Sequence, residues 1–241
     1  MGGLPTNSIS KLSGEIYLGS RSFHVINIKD MSLYAEYIKK NEYLANLWTS
    51  NFAFLWAVSQ SSTRKILWKL VDDMLVTFTY LKGGILYLTC LPFGEGDSEK
   101  VAKVIYRCLK YCYKWNNNDN SGTAVKVINN AQLEFLRKFR EFDKYFRLAV
   151  LSGLEKHFSI QKLVSLSGKE FETIRRKINK FHRLYPEAVI RDYKPDDYEN
   201  VAQLDEYWIK TSRQKYSHIF DEVYFHEIVK HYDEYNQTGL Q

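Results

Sequence analysis

Residues 135–185 carry thirteen Lys and Arg against five Asp and Glu, a net of +8, while residues 1–134 carry +4 and residues 186–241 carry −6. Cations gathered in this way suit a phosphate or an acidic headgroup, because Arg presents a planar fork of donors and Lys a mobile point charge. The densest group is Lys169, Arg175, Arg176, Lys177, Lys180 and Arg183, with the amide of Asn179 among them. Phe171, Ile174, Ile178, Phe181 and Tyr185 recur at spacings of three and four, which predicts a helix over 165–185 started at Gly168, with its apolar stripe packed. At roughly 100° per residue, Lys169, Arg176, Lys180 and Arg183 gather opposite that stripe, and Arg175, Asn179 and His182 share one flank. Two readings stay open for this face: a site for a polyanion, or solvated surface with no ligand.

Other constellations are weaker. His226-Glu227-Ile228-Val229-Lys230-His231 has one residue too many for a His-Glu-x-x-His zinc helix, and the extra residue turns the second imidazole about 140° from the first. No metal site is expected there, and His24, His157 and His218 have no partner that spacing identifies. Gly94-Glu95-Gly96-Asp97 lies between a strand and a helix but lacks both a third Gly and a Lys-Ser/Thr pair, so it reads as a tight turn with Asp97 capping the helix. The pairs Asp196-Asp197, Asp205-Glu206 and Asp221-Glu222 are explained by helix starts and solvent. Cys90, Cys108 and Cys112 show no Cys-x-x-Cys spacing; Cys108 and Cys112, four apart, read as buried small hydrophobes on one helical face in a reducing compartment. No Gly-x-Ser-x-Gly occurs, no catalytic residue can be assigned, and nothing in the chain calls for a cofactor.

Leu166-Ser167-Gly168-Lys169 followed by Arg175-Arg176-Lys177-Ile178-Asn179-Lys180-Phe181 resembles the signature of the phosphatidylglycerol lysyltransferase C-terminal-like family. Phe23–Lys40, Asn46-Leu47-Trp48, Phe52–Trp56 and Leu91-Pro92-Phe93-Gly94-Glu95-Gly96-Asp97 resemble the N-terminal half of that family in order and spacing, so the likeness spans nearly the whole chain. It implies an α+β fold of tandem acyltransferase-like (GNAT-like) units, each a mostly antiparallel twisted sheet flanked by helices. Residues 1–150 would form the N-terminal unit. Residues 151–241 would form the start of a second, truncated relative to the family. The implied activity is transfer of an aminoacyl group from aminoacyl-tRNA to a lipid headgroup or another small acceptor, with aminoacyl-tRNA or an acidic lipid headgroup as partner. The alternative is a non-catalytic binding or structural protein on the same fold whose basic helix, 168–185, contacts a polyanion.

The elements expected to position these residues follow from periodicity. Helices are predicted near 30–40 and 45–59, then strands at 64–71, 74–81 and 84–91 with Lys82-Gly83-Gly84 as a hairpin turn. A helix over 98–115, a strand at 123–128, a helix from Asn129-Asn130 to Arg140 and strands at 142–151 and 156–160 follow, with the first unit closing near residue 150. Beyond the Gly168 helix, a strand at 188–193 and helices at 196–214 and 221–236 are expected, with Pro195 in a first helical turn. Eighteen Tyr, fourteen Phe and five Trp in 241 residues can build a substantial core. No apolar run approaches the ~18 residues of a membrane span, and Met1-Gly2-Gly3-Leu4-Pro5 lacks the pattern of a secretory signal, so a cytoplasmic protein is expected. An unfinished sheet edge would invite pairing in a homodimer.

Overall fold

In the computed structural model, which describes residues 9–12, 14–120, 122–150, 159–212 and 222–236, the chain opens on three short antiparallel strands. These are β1 (Ile9–Leu12), β2 (Glu15–Leu18) and β3 (Arg21–Val25), and the β2–β3 pair turns at Gly19, whose φ of 62° suits a residue without Cβ. None of the three was anticipated from periodicity. A 3-10 turn closed by an Asn27–Asp30 capping box leads into α1 (Met31–Lys39). A second turn at Trp48–Ser50 leads into α2 (Phe52–Gln60), where the Asn51 side chain accepts the Phe54 amide at 3.2 Å.

The next three strands match the expected meander: β4 (Arg64–Val71), β5 (Met74–Leu81) and β6 (Leu86–Leu88). Asp72 and Asp73, at φ 51° and 61°, form the two-residue loop between Val71 and Met74, the paired-positive geometry that matches strand twist. All six strands are antiparallel and neighbour one another in chain order. Met74–Thr79 are buried without a break, so both faces of β5 need cover. Phe78 meets Phe23 edge-on at 5.1 Å, and Phe23 meets Tyr111 at 5.7 Å. On the alternate positions, Thr77 bonds the Cys90 thiol at 3.2 Å, and the Tyr34 hydroxyl donates to the Ser50 carbonyl at 3.0 Å.

The cover comes from helices. α3 (Ser98–Trp115) starts at Asp97, whose carboxylate accepts the Lys100 amide at 2.8 Å, and it buries Val101, Val104, Ile105, Cys108, Cys112 and Trp115 along one stripe. α4 (Asn130–Arg137) has an Asn129–Gln132 capping box, as the Asn-Asn start suggested. Two expected strands in this region are corrected. Residues 123–128 form no strand and share with the sheet a single isolated parallel bridge at Leu88, whose amide donates to the Ala124 carbonyl at 3.0 Å and whose carbonyl accepts from the Lys126 amide at 3.2 Å. Residues 142–151 begin as a helix, α5 (Phe142–Tyr145), because Phe142 and Phe146 stack at 4.9 Å one turn apart instead of alternating across a sheet.

By its contacts the chain divides into two compact units, Met1–Leu148 with Tyr198–Gln241, and Ala149–Asp197. The second contains α6 (Ile160–Ser165), a 3-10 turn at Lys169–Phe171 and α7 (Glu172–Leu184). The strand expected at 156–160 falls partly outside the described residues, and Ile160 begins a helix. The strand expected at 188–193 is absent: Val189 and Ile190 are 83% and 80% exposed and no neighbouring strand pairs with them, so β-branching alone does not make a strand. Instead Arg191 grips Asp197 through two bonds of 2.6 and 2.7 Å, and the Lys194 amide adds a third of 2.9 Å. In the first unit, α8 (Tyr198–Ser212), α9 (Glu222–Lys230) and α10 (Tyr232–Asn236) follow; α9 lies along α2, and Trp56 is 5.7 Å from His231, just past α9, and 5.4 Å from Tyr235 of α10.

The antiparallel sheet flanked by helices is the expected α+β, acyltransferase-like class. Truncating the buried ring in Phe78→Ala should cost about 3–5 kcal/mol in urea unfolding, and a loss below about 1 kcal/mol would show that β5 is not the centre of the core. The bond from Arg191, then that from the Lys194 amide, holds the Asp197 carboxyl down at about 2. The clasp is therefore complete above the ordinary Asp range near ~3.9 and is lost as pH falls through the lowered value. Carboxyl NMR titration should place the Asp197 midpoint there, and an ordinary midpoint would mean that the clasp does not form in solution.

Candidate polyanion-binding helix

Leu166, which caps the end of α6, is in the left-handed region at φ 48°, and Gly168 follows at φ 99°. A Cβ at Gly168 would meet only the movable carboxylate end of Glu170, at 2.5 Å, so it is the positive φ that calls for glycine there. The Arg175 guanidinium reaches back from α7 and donates to the Leu166 carbonyl and, at 2.8 Å, to the Gly168 carbonyl. This cation is thus committed to holding the turn that starts the helix. Arg176 pairs with Glu172 one turn earlier at 3.5 Å, and Lys162 of α6 lies 3.8 Å from Glu170.

The remaining candidates are freer. Lys169 sits in the turn ahead of α7, and Lys177, Asn179, Lys180 and Arg183 lie exposed on α7, their side chains in no ion pair or hydrogen bond with another described residue. Lys180 and Arg183 fall on the same face as Arg176, as helical spacing requires. The structure therefore separates the seven expected site residues into one structural clamp, one paired cation and a free set. The Arg176–Glu172 pair has the i,i+4 spacing of a helical ion pair, but the Arg175 clamp could not be read from spacing, because it depends on a turn with positive φ at Leu166 and Gly168.

The apolar stripe departs from expectation. Ile174 and Ile178 are each 38% exposed, Phe181 42% and Leu184 56%, and no residue of α7 is buried. Within Ala149–Asp197 no strand occurs among the described residues to receive that face. Only Phe171, just ahead of the helix, is buried.

The Gly94–Asp97 turn is filled by its own neighbours. The Gly94 amide donates to Asn41 at 2.8 Å, the Lys100 amide to Asp97, and the Lys100 ammonium to the Glu95 carbonyl at 2.8 Å. Two amides and the nearby ammonium are thus engaged within the turn, and the carboxylates of Asp97 and Glu99 at the same helix start oppose a phosphate. Burial pushes the thiols of Cys90 and Cys108 up to about 12 and that of Cys112 higher still, so all three are inert. His231 lies between Glu227 and Glu234, at 3.5 and 3.2 Å, and His226 lies apart, beside Tyr198. His157, His218 and Asp221 lie outside the described residues.

A polar cleft of about 480 Å³ in the first unit, missed by spacing, is lined by His24, Asp30, Trp56, Gln60, Lys65 and Trp68 among others. Its charges are held internally: His24 stacks on Trp68 at 4.3 Å, the Trp68 indole donates to Asp30 at 2.9 Å, and Lys65 donates to the Ser59 carbonyl at 2.7 Å. Strands β3 and β4 bring His24 and Trp68 into register, a juxtaposition of residues 44 positions apart that no local pattern signals.

If Arg175 is a clamp, Arg175→Met should speed amide exchange over residues 169–172 by about tenfold, the equivalent of one charged hydrogen bond. Unchanged exchange would show that the turn holds without it.

Residues 43–239 match the family model described as phosphatidylglycerol lysyltransferase, C-terminal. A crystal structure of a conserved protein of unknown function from Bacteroides thetaiotaomicron superposes with a TM-score of 0.59 at 17% identity, covering 88% of this chain and 68% of that one, a likeness of fold. Among curated proteins none matches. With four-fifths of its length accounted for by the family model, this chain belongs to the phosphatidylglycerol lysyltransferase, C-terminal family.

Proposed function

We propose that the chain transfers an aminoacyl group from aminoacyl-tRNA to the hydroxyl or amine of a lipid headgroup or similar small acceptor, on a GNAT-like scaffold in the cytoplasm. The observation that carries this reading is the free set Lys169, Lys177, Lys180 and Arg183 in the stretch where the net charge reaches +8. These cations would hold the phosphates of the tRNA acceptor end, with Asn179 as an uncharged donor and acceptor beside them. Family membership supports acyl transfer as the class of reaction.

In such a step the acceptor oxygen or nitrogen attacks the carbonyl carbon of the ester that joins the amino acid to the tRNA ribose. A new ester or amide forms, the bond to the ribose oxygen breaks, and that oxygen takes up the proton lost by the acceptor. No oxidant or reductant is needed. Positioning of two substrates supplies much of the acceleration in reactions of this kind. No described side chain is assigned here as general base.

A second reading, a binding protein without turnover, is favoured by the Gly94–Asp97 turn, where the Gly94 and Lys100 amides and the Lys100 ammonium are bonded within the turn and the Asp97 and Glu99 carboxylates face any incoming phosphate. The two readings part on one experiment. Fluorescence anisotropy with charged and uncharged tRNA across a salt series should show a log–log slope near ~0.7–0.9 per phosphate contact, and Lys180→Glu with Arg183→Glu should weaken binding by roughly tenfold or more. Transfer of labelled amino acid to lipid, lost in that double variant at unchanged melting temperature, would establish the enzyme. Binding without transfer would establish the second reading, and affinity untouched by the double variant would remove α7 from both.

A further inference from the structure

α7 has two features that belong together only at a particular kind of surface. Ile174, Ile178, Phe181 and Leu184 form one exposed apolar stripe along a helix of thirteen residues, about 20 Å long at ~1.5 Å per residue. By helical spacing Lys177 falls between Phe181 and Leu184, Arg175 and His182 border the stripe on the other side, Lys180 lies just beyond Leu184, and Arg183 lies behind. A strong apolar face on a helix of low mean hydropathy, with Lys and Arg on the polar side, is the pattern of helices that lie in a membrane interface. No described helix is long and apolar enough to cross a bilayer, so such a helix would lie on it.

We infer that α7 docks the protein onto an anionic lipid bilayer, with the Ile174, Ile178, Phe181 and Leu184 side chains entering the headgroup boundary and Lys177, on the same face, meeting the acidic headgroups in place of a tRNA phosphate, while Lys180 and Arg183 face away from the stripe. The occupant is argued from charge. The centre of a protein interface is depleted of charged residues, whereas this stripe lies within a stretch holding thirteen cations and five acids, complementary to a negatively charged surface. Long Lys and Arg side chains can extend along the helix to headgroup level while their methylene stems cover apolar surface. α6 of the same unit leaves Ile160 and Val164 exposed as well. The inference deepens the lipid-acceptor reading and rests on it: a helix of this kind would hold the chain where its acceptor is found.

The test uses the full chain and no RNA, so its outcome is separate from that of the tRNA measurement. Co-sedimentation is measured with vesicles of phosphatidylcholine alone and of phosphatidylcholine and phosphatidylglycerol in equal parts. Partition should be roughly tenfold or more higher on the anionic vesicles, and Ile178→Asp with Phe181→Asp should abolish the excess. Both side chains are exposed, so the melting temperature should hold. If the double variant fails to fold, hydrogen exchange on the wild type decides: amides of 174–184 slowed on anionic vesicles support docking, and unchanged amides overturn it. Equal partition on both vesicles, or an excess that survives the double variant, overturns it too, the latter by showing adsorption through charge alone. A dimer in sedimentation equilibrium that the double variant converts to monomer would show that a second copy covers the stripe, and would equally overturn the inference.

Discussion

Six successive buried residues in β5, Met74–Thr79, set the terms for everything built around them. A strand buried on both faces needs a layer on each, and its neighbours must keep register within a single residue, since a slip of one exchanges the faces. The Asp72-Asp73 loop supplies the register, and the antiparallel pairing from Arg64↔Leu81 to Val71↔Met74 carries it through the hairpin. One face then sorts apolar rings, Phe23, Phe78 and Tyr111. The other carries small polar pairs, Thr77 with Cys90 and Thr79 with Thr89 at 2.9 Å, each satisfying the other in the dry interior.

The second unit is organised on another principle. Local clamps, Arg175 on two carbonyls and Arg191 on Asp197, fix its turns where no sheet is present among the described residues to do so. Ordering of this kind costs the chain little apolar surface and leaves the hydrophobic face of α7 available. Cations are consequently divided between two uses, and only those without a backbone or carboxylate partner can meet a ligand. Arg175 and Lys177, two residues apart, have opposite fates for this reason.

Legibility followed the range of the interactions involved. The β4–β6 meander, the Asp97 cap of α3 and the Asn129 start of α4 are local patterns, and they were readable. The first three strands were missed although Gly14 and Gly19 punctuate them, because runs of four or five residues offer too few alternations to stand out. Val189-Ile190 and Phe142–Phe146 misled in the opposite way: strand propensity was present, but pairing is supplied by tertiary neighbours. For the site, the concentration of charge was visible in composition. The Arg175 clamp and the His24–Trp68 stack were not, since one needs a left-handed turn and the other a pairing across 44 residues.

All three thiols of this chain are sealed in the core of the first unit: Cys90 behind Thr77, and Cys108 and Cys112 on the inward stripe of α3. With their acidity suppressed by burial, an alkylating reagent meeting the folded chain finds almost no thiolate. Their modification rate is therefore a clock for opening of the sheet and α3, built into the native sequence. A cysteine placed on the outer helix would react at a different rate by orders of magnitude, so one labelling experiment can read the surface and the core separately.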